Sequence, residues 1–331
     1  MGGEQLDNHI LVSVEMLTYN HEKYLNQALD SILMQKVNFK YEVVIGDDCS
    51  TDKTQSILKE YQSKYPDIIK PILREKNLGA TKNDYDALNQ CQGKYIALLE
   101  GDDYWCDVNK LQMQVDILEA NPDYFGSAHS CNIYFQASGR VKNGGEFYYT
   151  KDHVYDFEDF RYNQFPGHAA TLFFRNMFLD KTRDFSILYT AHTDASDRTL
   201  ALLMVLEGKV FCIGKTMATY RFCRNQEEQN YSSRILNKNT CGIHFHYLMA
   251  MDEYSKKICN KSCLSQDIID ECIIRALEKY LSNSTKDNRE IFNEIYQYKK
   301  HHYIYYYMAT QNMRLIKALK RNGRKIISII K

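Results

Sequence analysis

Tyr95-Ile96-Ala97-Leu98-Leu99-Glu100-Gly101-Asp102-Asp103-Tyr104-Trp105 is the stretch on which the reading of the fold turns. Its first five residues have no polar face and predict a short strand buried on both sides. The run stops at Glu100-Gly101-Asp102-Asp103, three carboxylates in four positions around one glycine. Carboxylates at the end of a buried strand repel one another and are costly to strip of water, so they call for a cation. A hard divalent metal that also carries phosphate oxygens suits such a site. An acidic, solvated turn is the plainer reading of these four residues taken alone, and the flanking pattern decides between the two.

Upstream, residues 10–17 read as a first strand that ends at Thr18-Tyr19-Asn20. Leu25, Ala28, Leu29, Ile32 and Leu33 then recur at helical spacing. Tyr41–Ile45 predicts a second strand, closed by Gly46-Asp47-Asp48. A helix with Ile57, Leu58, Tyr61 and Tyr65 on one face follows, with Ser50 or Thr51 as its cap and Pro66 as its end. A third strand over 68–73, the turn Asn77-Leu78-Gly79 and a helix over 80–92 lead into the opening stretch. Beyond it, Leu111, Val115 and Leu118 mark a helix that stops at Asn121-Pro122. This alternation implies βαβ units and a parallel sheet covered on both faces, whose ligands gather at the carboxyl ends of the strands. Thr18-Tyr19-Asn20, Asp47-Asp48 and Glu100-Asp102-Asp103 would thus converge on one rim.

The second half is less regular. Residues 124–135 and 169–175 are strand-like, Ser138-Gly139 is a turn, and 140–165 is a polar, aromatic loop region without a period. A helix over 194–207 precedes a strand through Lys209–Ile213, and the chain is helical from about 225, with a polar break at Ser282-Asn283-Ser284-Thr285. The expected division is residues 1–224 and a helical extension, 225–331. From Tyr296 to Lys331 there are nine lysines and arginines and no acidic residue. A basic amphipathic tail over 312–331 can lie on an anionic membrane or pack as a solvated end helix.

Composition narrows the partners. Lysine plus arginine, 42, equals aspartate plus glutamate, 42, so no overall charge points to nucleic acid. Of ten scattered cysteines only Cys259 and Cys263 sit close together, which gives no zinc-site spacing and favours free thiols in a reducing compartment. Met1-Gly2-Gly3-Glu4 has neither a basic patch nor an apolar core, and Leu6 breaks the myristoylation pattern. No apolar run approaches the roughly 18 residues of a spanning helix. The expectation is a cytoplasmic chain, soluble or peripheral at the inner membrane face. No GxGxxG follows the first strand and no P-loop is present, and His192 and His301-His302 read as surface residues.

Over residues 10–222 the chain resembles the family 2 glycosyltransferases. Val12-Ser13-Val14-Glu15-Met16-Leu17-Thr18-Tyr19-Asn20 is similar to that family's opening VSVIIPTYN strand. Val43 through Asp52 resembles its VDDGSTD element, and Asn77-Leu78-Gly79 with Lys82-Asn83 its NxGxxxARN segment. Glu100-Gly101-Asp102-Asp103 stands where the family carries its DxD motif. The resemblance implies an α/β GT-A nucleotide-sugar-binding fold, a mainly parallel sheet flanked by helices, here with the helical C-terminal extension.

The family roles then fall on particular residues. Thr18, Tyr19 and Asn20 would line the base, with Tyr19 stacking on uracil and Asp48 accepting its imide proton. Lys82 and Asn83 would stand near the diphosphate, Lys82 as a point charge where arginine is usual. Glu100 and Gly101 would face the ribose, and Asp102 with Asp103 would hold Mn2+ or Mg2+. Ser196-Asp197-Arg198 before a leucine-rich helix resembles the family's acidic pair, with Asp197 as general base and Ser196 in place of Glu. Asp194 is a near alternative, and a helix N-terminal carboxylate favouring the dipole is the plainer reading of Asp197. Tyr220-Arg221 would lie near phosphate or acceptor, and His168 and Thr171 would line the sugar pocket. The implied reaction is inverting transfer of a sugar from a UDP-sugar to a glycan or lipid-linked saccharide, in the synthesis of capsule, O-antigen or a related surface glycan. A sugar nucleotidyltransferase and a non-catalytic nucleotide-sugar-binding scaffold are the rivals.

Overall fold

The computed structural model describes residues 9–143, 150–162, 165–223, 240–283 and 285–296. The chain divides into one compact unit through Ile269 and a second from Asp270. Among the described residues ten strands form one sheet, and its first half is parallel. β1 (Val12–Thr18), β2 (Tyr41–Asp47), β3 (Ile69–Leu73) and β4 (Tyr95–Leu98) lie in the order β3-β2-β1-β4. Val14 stands opposite Val43 on one side and Ala97 on the other.

Strand alternation gives this half two unlike faces. Val12, Val14 and Met16 turn to an apolar layer with Leu25, Leu29 and Ile32 of α1 (Leu25–Leu33), Leu58 of α2 (Thr54–Lys64) and Leu111 and Leu118 of α4 (Lys110–Ala120). Ser13 and Glu15 turn the other way, toward Glu42 and α3 (Ala80–Leu88). There Ser13 donates to Glu42 Oε1 at 2.6 Å, and Ser13 Oγ accepts the amide of Gly93 at 2.8 Å. The carboxylate of Glu15, 3% exposed, has an oxygen without a hydrogen-bond partner.

The second half is mixed. β9 (Phe173–Arg175) lies between β4 and β6 (Tyr124–Phe135), antiparallel to both, while β10 (Lys209–Phe222) runs parallel to β6. β5 (Tyr104–Trp105) pairs antiparallel with Ala218 and Thr219 of β10, so the acidic turn is folded back onto the sheet. The expected α/β sheet with helices is therefore present, all-parallel in its first half and mixed in its second.

Several local expectations change. β10 does not stop at Ile213 but continues past Gly214 through shifted register, where a Cβ on Gly214 would lie 2.7 Å from Lys151 Cα. The region 140–165 holds β7 (Arg140–Asn143) and β8 (His153–Tyr155), which pair on outer positions, and α5 (Phe157–Tyr162), pieces too short to leave a periodic signature. Residues 169–171 form a 3-10 turn before β9, and α3 ends at Leu88. α2 begins at Thr54, whose amide donates to Asp52 rather than to Ser50 or Thr51, because the Ser50 hydroxyl is drawn to Asp47.

After α6 (Ile187–Thr190) and α7 (Asp197–Glu207), the helix Thr240–Cys259 packs on both in the first unit. In the second unit Tyr280 stacks on Phe292 with ring centroids 5.9 Å apart, and Asn288 donates to the Asn283 carbonyl across the polar break. No disulfide joins any of the ten cysteines. Among the described residues no helix is long and apolar enough to cross a membrane. The basic tail 312–331 and His301-His302 lie outside the described residues.

Candidate active site

The ends of β1 and β2 are locked together before any ligand is considered. The amide of Asp48 donates to the Thr18 carbonyl at 3.0 Å. Asn20 (φ 57°) and Cys49 (φ 65°) take left-handed backbone, which lets both loops turn sharply at the strand ends. The Asn20 amide donates to Ser50 Oγ, and Asn20 Oδ1 accepts the Thr51 amide at 2.8 Å. Asp47 gathers the Ser50 amide and the Gln55 side chain, so it shapes the loop. Asp48 accepts the amides of Leu78 (2.6 Å) and Gly79 (3.0 Å) on separate oxygens, which fixes the turn leading into α3. Each of those oxygens keeps a further lone pair. Tyr19, one residue after the strand-end Thr18, is half-buried.

On α3, Lys82 pairs with Asp86 at 2.6 Å and lies 4.6 Å from the ring centroid of Tyr189. Asn83 is buried: it donates to the Gly46 carbonyl at 2.8 Å and accepts from Arg74 Nε at 3.2 Å. Its role in the structure is to hold α3 on β2.

The acidic turn is held from behind by Arg221. The Arg221 amide donates to Asp103 Oδ1 at 2.7 Å, and its Nε donates to the Asp102 carbonyl at 2.8 Å. The two remaining guanidinium nitrogens reach Gln136 and Gln27. Arg221 is thus a clamp on the turn, 6% exposed, while Tyr220 faces His168 with ring centroids 4.3 Å apart. Trp105 Nε1 donates to the Ala170 carbonyl at 2.9 Å, tying the turn to the segment that carries His168. Thr171 is fully buried and donates to the His168 carbonyl at 2.7 Å, shaping the same segment. Gly101 is required by space: a Cβ there would lie 2.8 Å from His21 Nδ1 and 3.0 Å from Thr18 Oγ1.

Glu100, Asp103 and His168 each offer one ligand atom, all within 4.8 Å of one another. Asp103 Oδ2 is buried without a hydrogen-bond partner, 3.7 Å from His168 Nδ1. Burial and the charges of Asp102 and Glu100 hold the Asp103 carboxyl well above the usual range. Glu100 is open along one side, yet the loss of water around its carboxyl, with the charges of Asp102, Asp197 and Asp84, pushes it up to about 8. Burial pushes His168 down to about 4, so near neutral pH its ring is uncharged and able to donate a lone pair. Two carboxylates that resist ionisation and a neutral imidazole fit a divalent ion, whose charge would relieve the repulsion. Asp102, expected as a ligand with Asp103, is outside this group, and Glu100 and His168 are in it.

Asp197 stands half-buried at the first position of α7, and its charge reaches Glu100. Loss of water around its carboxyl raises it, against the pull of Arg198. Around it, Tyr247 OH accepts the Thr199 amide at 3.0 Å, and Arg198 lies 3.2 Å from His244 and 4.9 Å from the Phe165 ring centroid. His192, read as a surface residue, accepts the amides of Asp194 and Ala195 and packs against Tyr247. Two acids escaped the sequence reading. Asp84 of α3 accepts a hydrogen bond from Ser196 Oγ, and burial pushes it up to about 7. Glu15, on the same polar face, is held well above the usual range by burial and by the charges of Asp84 and Glu100. A glutamate in the middle of an otherwise apolar β1 was the available signal.

Comparison with known proteins bears on the family and the fold. A Mycobacterium tuberculosis protein described as uncharacterized is 41% identical over 125 residues, 38% of this chain and 36% of that protein. The putative teichuronic acid biosynthesis glycosyltransferase TuaG of Bacillus subtilis is 38% identical over 108 residues, 33% of this chain and 42% of its own length. The chain thus matches well under half of the length of these relatives. The structure of Staphylococcus aureus TarS residues 1–349 in complex with UDP superposes with a TM-score of 0.53 at 17% identity, over 88% of this chain and 93% of that one. This likeness shows a shared GT-A fold. The family description "Glycosyl transferase family 2" matches residues 13–182, just over half of the chain, from the first strand through the acidic turn and the His168 segment. The chain belongs to glycosyl transferase family 2.

Proposed function

We propose that this chain transfers a sugar, with inversion, from a UDP-sugar to an acceptor hydroxyl in the synthesis of a surface polysaccharide. The observation that carries the reading is the grouping of Glu100, Asp103 and His168 within electrostatic reach of Asp197. A candidate base is thereby coupled by charge to the candidate cation ligands. Tyr19 would stack on uracil and Asp48, with its remaining lone pairs, would accept the imide proton. Lys82 adds positive charge near the diphosphate. Glu100, Asp103 and His168 would hold Mn2+ or Mg2+, with Asp102 the next carboxylate on the turn; when bound, the ion supplies charge that stabilises the leaving diphosphate. Asp197 takes the proton of the acceptor hydroxyl as its oxygen approaches the anomeric carbon from the side opposite UDP, and that geometry inverts the centre. The TarS structures with UDP and with UDP-GlcNAc support a uridine nucleotide, and the relative TuaG supports a surface glycan.

Thermal unfolding against UDP-, GDP- and dTDP-sugars, with and without Mn2+, tests the donor. A UDP-sugar at 100 times its Kd adds about 2.7 kcal/mol of stability. The expected result is an Mn2+-dependent shift that Asp103→Asn loses and Asp197→Asn keeps, while UDP release falls to background in Asp197→Asn. No shift with any nucleotide sugar would favour a scaffold role, and equal loss of binding in both variants would remove Asp197 as the base. The basic tail is proposed as a contact with anionic lipid for a lipid-linked acceptor. Deletion of residues 312–331 should then abolish co-sedimentation with phosphatidylglycerol vesicles, and unchanged sedimentation overturns that contact.

A further inference from the structure

The amino end of α7 carries one acid, at Ser196-Asp197, where the family resemblance has two. We propose that Asp84 of α3 supplies the missing carboxylate across space and acts, through the Ser196 hydroxyl, as a positioning residue for Asp197. The proposal rests on the reading of Asp197 as the base.

Four observations support it. Ser196 Oγ donates to Asp84 Oδ2 across 112 residues of sequence. The Ser196 carbonyl accepts the Leu200 amide at 2.8 Å and so closes the first turn of α7. The residue gripped by Asp84 is therefore the one that sets where the Asp197 backbone starts. A second tie joins the same elements: Thr81 Oγ1 donates to the Thr193 carbonyl at 3.2 Å. Finally, Asp84 is only 5% exposed, which keeps it from the acceptor and makes it an expensive choice for mere packing, since a buried carboxylate is stripped of water. Glu15, Asp197 and Glu100 are charges that act on it or feel its own.

Such a role is distinct from both donor binding and simple bracing. Moving a catalytic group by a fraction of an ångström lowers turnover while ground-state binding stays. It is read most directly with water as acceptor, which requires no knowledge of the glycan. In that reaction the water oxygen bonds to the anomeric carbon, the bond from that carbon to the UDP oxygen breaks, and Asp197 takes the water proton.

The experiment is steady-state UDP release from UDP-glucose, UDP-galactose, UDP-GlcNAc and UDP-glucuronate with Mn2+. It compares the wild type with Asp84→Ala, Ser196→Ala and Asp84→Ala combined with Ser196→Glu. We expect both single variants to lose at least about tenfold in kcat with donor KM within about twofold. The Ser196→Glu change in the double variant should restore most of the loss, because it returns a carboxylate to the pair. Ser196→Ala removes the same hydrogen bond from a half-buried site, so the comparison survives if Asp84→Ala folds poorly. Single-variant rates within twofold of wild type, a loss shared equally by donor KM, or no recovery in the double variant would each overturn the role of Asp84. A wild type that releases UDP from none of the four sugars overturns the transferase reading itself.

Discussion

Arg221 directs each guanidinium nitrogen to a protein acceptor and its amide to Asp103, so its contribution to any chemistry runs through the acidic turn. Lysine has no fork with which to reach the Asp102 carbonyl, Gln136 and Gln27 together. Arg221→Lys should therefore cost about 2–3 kcal/mol in urea unfolding and also raise the KM for Mn2+. A stability loss without a change in metal KM would mean that the turn keeps its shape unaided. Asp84 gives a signed pH effect. Burial lifts it to about 7, so between about 4 and about 7 the folded chain retains a proton that the unfolded chain releases. Its stabilising contribution is complete at low pH and is lost as pH rises through that window. Asp84→Asn, which cannot ionise, should gain on the wild type by up to about 1.4 kcal/mol per pH unit there, measured by urea unfolding at pH 4, 5.5, 7 and 8. A difference that does not vary with pH would contradict this. At this scale Asp48, Asp103 and Asp197 were legible because each closes a strand or opens a helix in a spaced pattern. Asp84 was not legible, since its partner lies 112 residues away and only the packing of α3 beside α7 brings them together.

Among the elements, α3 depends on a close approach to β2. A Cβ on Gly46 would lie 2.8 Å from Asn83 Oδ1, and that amide is fixed at both ends by the Gly46 carbonyl and Arg74. Gly46→Ala should therefore push α3 outward and cost about 1–3 kcal/mol, seen as a lower melting temperature. A wild-type melting temperature would show that α3 can shift without loss. The parallel strands and their helices were readable because each βα unit repeats the change of hydrophobic period. β5 and β9 were harder: two and three residues are too few to display any period, and both are defined by the strands beside them. Gly214 read as the end of a strand, whereas in the sheet it marks irregular register within a 14-residue β10.

Over the first unit as a whole, the two faces of the parallel half do different work. One is an apolar layer with α1, α2 and α4; the other is polar and runs from Glu42 and Ser13 through Glu15 to Asp84 and the start of α7. That arrangement bears on how the two halves can be recombined. α3 begins at the turn Asp48 holds and, through Thr81 and Asp84, grips the segment before α7. A helix of nine residues is about 13.5 Å long, a rigid spacer on this scale. The two halves are consequently not interchangeable cassettes. A chimaera that takes residues 124–223 from a relative inherits an Asp197, the proposed base, whose foothold lies in the other parent. It would have to carry matching residues at 81 and 84 to keep the start of α7 in place.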